Sequence, residues 1–159
     1  MAMAAFIRQS PQYVSGKDIL ELGAGLAIPS FIASRYAKKV MVSDHSEDAV
    51  WLMRKNIEEL KLEHSRAEQM DWNDLPDDIR ADTVLMSDVN YFPQDFDPLV
   101  KIIHKFLDAG SIIILSTPGR LAGKSFVAFL VPYIAYRETV NISGTEILIA
   151  VLIKKDRIS

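Results

Sequence analysis

Short apolar runs alternate with stretches in which apolar residues recur every three or four positions, almost from one end of the chain to the other. The run DILEL begins at Asp18, is bounded by Gly16 and Gly23, and reads as a buried strand. A helix is expected from about Pro29 to Tyr36, since proline is tolerated in a first helical turn. Lys39–Ser43 (KVMVS) is a second strand, and Ser46 then suits a helix N-cap, with Glu47 and Asp48 at the positive helix start. Ala49, Val50, Met53, Ile57 and Leu60 give that helix one apolar face.

His64–Gln69 forms a weak third strand and Ala81–Ser87 (ADTVLMS) a clear fourth. Phe96, Leu99, Val100, Ile103, Phe106 and Leu107 recur at helical spacing; Ser111–Ser116 (SIIILS) is a fifth strand, and Ser125–Val131 a short helix ahead of Pro132. The tail then changes character. Ile134–Ile142 and Glu146–Lys154 are both strand-like, and the brief Ser143–Gly144–Thr145 link makes them an antiparallel hairpin. Five β/α alternations closed by a hairpin predict a doubly wound, mostly parallel sheet whose final strand runs antiparallel. That plan is shared by nucleotide-binding and methyltransferase domains, so chemistry must come from particular residues.

Composition narrows the field. The 159 residues suit one domain spanning the chain, and an apolar share of 49% with few Gly and Pro fits a globular protein. A net charge of −3 without a basic stripe argues against phosphate-driven nucleic-acid binding. The absence of cysteine removes disulfides, thiolate zinc sites and thiol nucleophiles together. The longest apolar stretch, Phe126–Tyr136, is broken by Pro132 and falls short of the roughly 20 residues that span a bilayer. The first residues lack the charged-then-apolar order of a signal peptide, so a cytoplasmic location is expected.

The most informative segment is ILELGAGLAIPS, Ile19–Ser30. Gly23 and Gly25 stand where the first strand turns into the first helix of the alternation, at the carboxyl edge where open α/β sheets bind ligands. A pyrophosphate turn of the G-x-G-x-x-G kind would place glycine where Ile28 stands. Glu21, two positions before the first glycine, would also be awkward beside a pyrophosphate and suits a cationic ligand. S-adenosylmethionine carries a sulfonium and an ammonium and has no phosphate. Asp44 ends the second strand about 20 residues beyond the glycines, where a carboxylate can accept from ribose hydroxyls. The same place is used by NAD-binding domains, and a loop residue or a helix cap is the structural alternative.

These residues resemble class I methyltransferases, and within them the small protein-lysine methyltransferases related to nicotinamide N-methyltransferase. Ile19–Ser30 is close to the first motif of that branch. AFIRQSPQYVSGK before it resembles a short helix and a P-x-x-x-x-G-K lead-in. Asp71–Trp72 is similar to the acidic or polar residue plus tryptophan that follows the third strand beside adenine. DTVLMSDVNYF, Asp82–Phe92, resembles the segment that ends the fourth strand. The motifs run in the right order over nearly the whole chain. Ala27 stands where a third glycine is common, and only about fifteen residues precede the first strand, without the tryptophan-proline motif of the longer members.

The resemblance implies a Rossmann-like sheet of order 3-2-1-4-5-7-6 and S-adenosylmethionine as cofactor. The cofactor pocket it implies comprises Glu21, Gly23, Ala24, Gly25, Asp44, His45, Asp71, Trp72, Ser87 and Asp88. Asp88 and Tyr91, leaving the fourth strand at the carboxyl edge, are the candidates for the acceptor side; a helix cap and a packed aromatic are their bland alternatives. Trp72 as a mere packing aromatic is the corresponding alternative there.

The histidines His45, His64 and His104 share no metal-ligand spacing, and His104 sits on an amphipathic pattern as a solvated or packed residue. GRLAGKS, Gly119–Ser125, is one residue short of a phosphate-binding loop and follows the fifth strand, so it reads as a loop entering a helix. The expected function is methyl transfer to a protein lysine. The alternatives are a small-molecule amine acceptor, a cofactor-binding domain with little turnover, and an NAD-dependent oxidoreductase. No nucleic-acid or membrane partner is expected.

Overall fold

In the computed structural model, which describes residues 1–87, 96–118 and 124–154, seven strands form one sheet. They are β1 (Asp18–Leu22), β2 (Lys39–Asp44), β3 (Ser65–Gln69), β4 (Thr83–Ser87), β5 (Ile112–Pro118), β6 (Ile134–Ile142) and β7 (Thr145–Leu152). Their order is β3-β2-β1-β4-β5-β7-β6. The first five run parallel, and β7 is antiparallel to both of its neighbours. This is the Rossmann-like methyltransferase order that the motifs lead one to expect.

The central strands are apolar on both sides because helices cover both faces. Successive side chains point to opposite faces of a strand. Ile19 and Leu85 therefore pack with α1 (Ala2–Gln9), α2 (Ile28–Ala33) and α3 (Glu47–Glu59). Leu20, Leu22, Val84 and Met86 pack with α4 (Phe96–Asp108) and α5 (Lys124–Leu130). On α4 the expected face is buried through Leu99, Ile103, Phe106 and Leu107, with Ile102 added and Val100 half-buried. The helix implied ahead of β1 is α1, held by Met3, Phe6 and Ile7 at helical spacing.

Boundaries moved where side chains or carbonyls took up other duties. The strand expected from Ala81 begins at Thr83 because Asp82 turns its carboxylate to the Asp18 N–H at 2.8 Å and Ala81 offers its carbonyl to the Ser111 hydroxyl at 2.6 Å. The helix expected to reach Tyr36 stops at Ala33, and the Ser34 hydroxyl donates back to the Phe31 carbonyl. Leu60 is not on the buried face of α3: it is 58% exposed, because α3 ends at Glu59 and Lys61, at φ 53°, turns the chain away. The tail strand ends at Leu152, since the Ile153 N–H donates to Tyr133 instead of continuing the ladder. Its hairpin is tighter than expected. Ile142 pairs with Thr145, leaving only Ser143 and Gly144, both at positive φ, as the tight antiparallel turn requires.

Candidate cofactor site

At the carboxyl end of β1 the chain makes a sharp turn through Gly23 (φ 62°) and Gly25 (φ 51°), backbone angles that side chains with a Cβ resist. The turn is tied to β2 at two points. The Ala24 N–H donates to the Ser43 carbonyl at 2.8 Å, and the Gly25 N–H donates to Asp44 Oδ2 at 3.0 Å. Asp44 is therefore a bridge between the first two strand ends. Its other oxygen, Oδ1, accepts from the Ser46 N–H at 3.0 Å and lies 3.2 Å from Nδ1 of the exposed His45. A carboxylate has about four acceptor positions, so these bonds orient it and leave capacity for a hydroxyl.

The third strand end joins the same edge. Met70 donates its N–H to the Asp44 carbonyl at 3.0 Å, and the Gln69 amide donates to the His45 carbonyl at 3.0 Å. The chain then reaches Asp71, whose carboxylate caps a one-turn 3-10 helix by accepting from the Asn73 N–H at 2.8 Å and the Asn73 side chain at 2.9 Å. Half-buried Trp72 is thereby laid against the glycine turn: a Cβ built on Gly23 would stand 3.8 Å from Cζ3 of its ring. A Cβ on Gly25 would meet nothing within 4 Å among the described residues. Thus Gly23, Ala24, Gly25, Asp44, His45, Asp71 and Trp72 converge on one sheet edge.

Glu21 takes a different position. It is fully buried on the face covered by α1 and α2, and its Oε2 accepts from the Ser30 N–H at 3.2 Å. Ser30 is the third residue of α2, where backbone N–H groups lack intrahelical partners, so the carboxyl closes that helix start. Among the described residues Oε1 has no hydrogen-bond partner. Burial pushes the carboxyl up to about 7; the Ser30 and Ser87 hydroxyls, the Ser30 N–H and the α-ammonium of Met1 pull it back only in part. Ser87, at the end of β4, directs its hydroxyl to Met3 Sδ at 3.2 Å, which seats α1 over this strand end. Asp88 and Tyr91 lie outside the described residues. His104 is a packed ring, edge-on to Phe129 and Tyr133.

Sequence reading missed Ser30, Ser43, Gln69 and Met3, which support the site through the bonds above. A serine two positions after the Ile28 helix start was the one available signal. In the fold Ala27 is fully buried at the start of α2 with φ 53°, the left-handed region that costs an L-residue about 1–2 kcal/mol. Ala27→Gly is expected to raise stability by about 1 kcal/mol, read as a higher urea midpoint with an unchanged m-value; a lowered midpoint would mean that the methyl group's packing outweighs the strain.

The donor set fits S-adenosylmethionine. Among the described residues it has open space beside a glycine backbone, an oriented carboxylate for hydroxyls, an indole beside the turn, and a buried carboxyl oxygen without a hydrogen-bond partner. No helix among the described residues is long and apolar enough to cross a membrane.

A doubly wound sheet of this order is the fold of class I methyltransferases. Residues 1–130 match the lysine methyltransferase family, and the chain belongs to it. It is 28% identical over 110 residues to the human histone-arginine methyltransferase METTL23, covering 65% of this chain and 58% of that protein. It is 29% identical over 133 residues to the protein N-terminal and lysine N-methyltransferase EFM7 of Candida glabrata, covering 74% of this chain and 52% of that one. The chain spans about half the length of the curated relatives it matches. Its fold superimposes with TM-score 0.73 and 20% identity on magnesium protoporphyrin IX methyltransferase of Synechocystis PCC 6803, solved with S-adenosylmethionine bound, over 95% of this chain and 76% of that one.

Proposed function

We propose that residues 1–159 form one methyltransferase domain that moves the methyl group of S-adenosylmethionine to a nitrogen of a protein, a lysine side chain in the first instance. The observation that carries this reading is the convergence of the glycine turn, the Asp44 bridge and Trp72 on one sheet edge. Family membership and the named activities of METTL23 and EFM7, all on protein nitrogens, support the acceptor class.

In this reading Gly23 and Gly25 let the backbone approach the cofactor, Asp44 accepts from its ribose hydroxyls, and Trp72 with Asp71 flanks its adenine. The bound cofactor supplies an electrophilic methyl on a sulfonium. That methyl would pass to an acceptor nitrogen by displacement, with a neutral thioether as leaving group and the nitrogen's proton going to water. Such a displacement needs no protein nucleophile. It needs alignment at near-attack distance and exclusion of water. The acceptor amine must lose a proton before it attacks, and Asp88 or Tyr91 would orient it.

Two measurements test this. Incubation with radiolabelled S-adenosylmethionine and a cell lysate should transfer label to protein, and hydrolysis of the labelled band should yield methyllysine; methylarginine or a labelled small molecule would correct the acceptor class. Asp88→Asn and Tyr91→Phe should cut methyl transfer tenfold to several hundredfold, about 1.4–3.5 kcal/mol of transition-state stabilisation, with little loss of S-adenosylhomocysteine affinity. A lower melting temperature with unchanged specific activity per folded molecule would leave those residues as a cap and a packed aromatic.

A further inference from the structure

We propose that Glu21 is a neutral carboxylic acid in the ligand-free protein and that the cationic cofactor displaces its proton on binding, so that cofactor capture and proton release are one coupled step. The inference rests on the reading of this edge as the S-adenosylmethionine site.

The geometry around Glu21 makes the charged form costly without a ligand. The side chain is fully buried, Oε2 has the Ser30 N–H, and Oε1 has no partner among the described residues. A carboxylate removed from water is destabilised where neighbouring hydroxyls and an N–H offset only part of the cost of burial, and such a group neutralises itself by taking a proton. The groups that act on it from the packed elements are few. Ser30 acts on it from α2 and Ser87 from β4, and the α-ammonium of Met1, just ahead of α1, acts on it as a charge. From β2 the Ser43 hydroxyl goes to the Glu21 carbonyl at 3.0 Å and not to the carboxyl. Consistently, burial pushes this carboxyl up to about 7, well above its ordinary range.

A ligand with an ammonium and a sulfonium changes that balance. An opposite charge near a buried carboxyl favours ionisation. The O–H bond of Glu21 breaks, the electron pair stays on the carboxylate, and the proton goes to the buffer. The arrangement also explains why a carboxyl this deep stands two residues before the turn: it is a counter-charge that is formed when the cation arrives, at a place where a permanent charge would strain the ligand-free fold. Apparent affinity should then fall as pH drops through 7, on the order of tenfold between pH 8 and pH 6.

Titration calorimetry with S-adenosylhomocysteine, which keeps the ammonium, and with S-adenosylmethionine tests this at pH 7 in buffers of different ionisation enthalpy. The dependence of the observed heat on the buffer gives the protons exchanged. Wild-type protein should release about half a proton more per ligand than Glu21→Gln, with the ligand's own amine contributing equally to both. Glu21→Gln should also lose the pH dependence of affinity between pH 6 and 8. Infrared difference spectra of the wild type provide a variant-free check, because the carbonyl stretch of a protonated carboxyl should vanish when either ligand is added. Binding with no proton exchange and no loss of that band would overturn the coupling and leave the cofactor site standing. Equal proton release from Glu21→Gln would move the coupling to another group and overturn the role given to Glu21. Absence of binding by both ligands would overturn the cofactor reading and this inference with it.

Discussion

Gly25→Arg should give a folded chain that binds S-adenosylhomocysteine at least about a hundredfold more weakly than the wild type, or not measurably, a loss of roughly 2.7 kcal/mol or more. Two effects act together. Gly25 sits at φ 51°, where any side chain is strained, and a Cβ there would meet no atom of the described residues within 4 Å, so the arginine would extend into the space proposed for the ligand. Its guanidinium would also bring a permanent cation to a place proposed for a cationic ligand. The companion change Asp44→Ala acts differently. It removes the acceptor for the Gly25 and Ser46 N–H groups as well as the proposed ribose bonds. Affinity should fall by about 1.5–3 kcal/mol, together with a measurable drop in melting temperature. Calorimetry and thermal melts on the two variants separate these outcomes. Wild-type affinity in both would remove the site from this edge.

The strands and helices were legible because each central strand is a short apolar run flanked by turn residues and the helices between them keep a 3.6-residue period; the order of the sheet came from the motif resemblance. The weak third strand, SRAEQ, is an edge strand with one buried residue, and it carries too little apolar signal to stand without its neighbours. The site was legible where backbone geometry leaves a trace in residue type. Gly23 and Gly25 take positive φ without the strain a Cβ would bring, and Asp44 is a short acceptor that reaches a backbone N–H across the turn. What could not be read was direction and depth. Nothing in ILELG distinguishes a carboxylate lining a pocket from one buried behind it, because that depends on α1 and α2 packing over the face to which Glu21 points. Likewise the Ser30 and Met3 contacts join segments that only the fold brings together.

The depth of Glu21 carries a consequence for stability that runs opposite to the usual carboxylate behaviour. Most carboxyls are held below their unfolded values and stabilise the fold as pH rises; this one is pushed from 4.5 up to about 7, chiefly by burial. Between those two values the folded chain binds more protons at this site than the unfolded chain does, so stability falls as pH rises through the window. The contribution is complete below about pH 4.5 and lost as pH passes 7. Across pH 5.5 to 8 the ligand-free protein should lose about 2 kcal/mol from this residue, a few degrees in melting temperature for a domain of this size. Glu21→Gln keeps an acceptor for the Ser30 N–H and cannot ionise, so its stability should be flat over that window once the wild-type background is subtracted. At pH 8 it should match or exceed the wild type, while at pH 5.5 it should not. Urea unfolding of both proteins at matched pH values decides the matter. If the two curves stay parallel from pH 5.5 to 8, Glu21 is ionised throughout, its unpartnered oxygen is satisfied by water or by an unseen donor, and the charge needed for a cationic ligand is already in place before the ligand arrives.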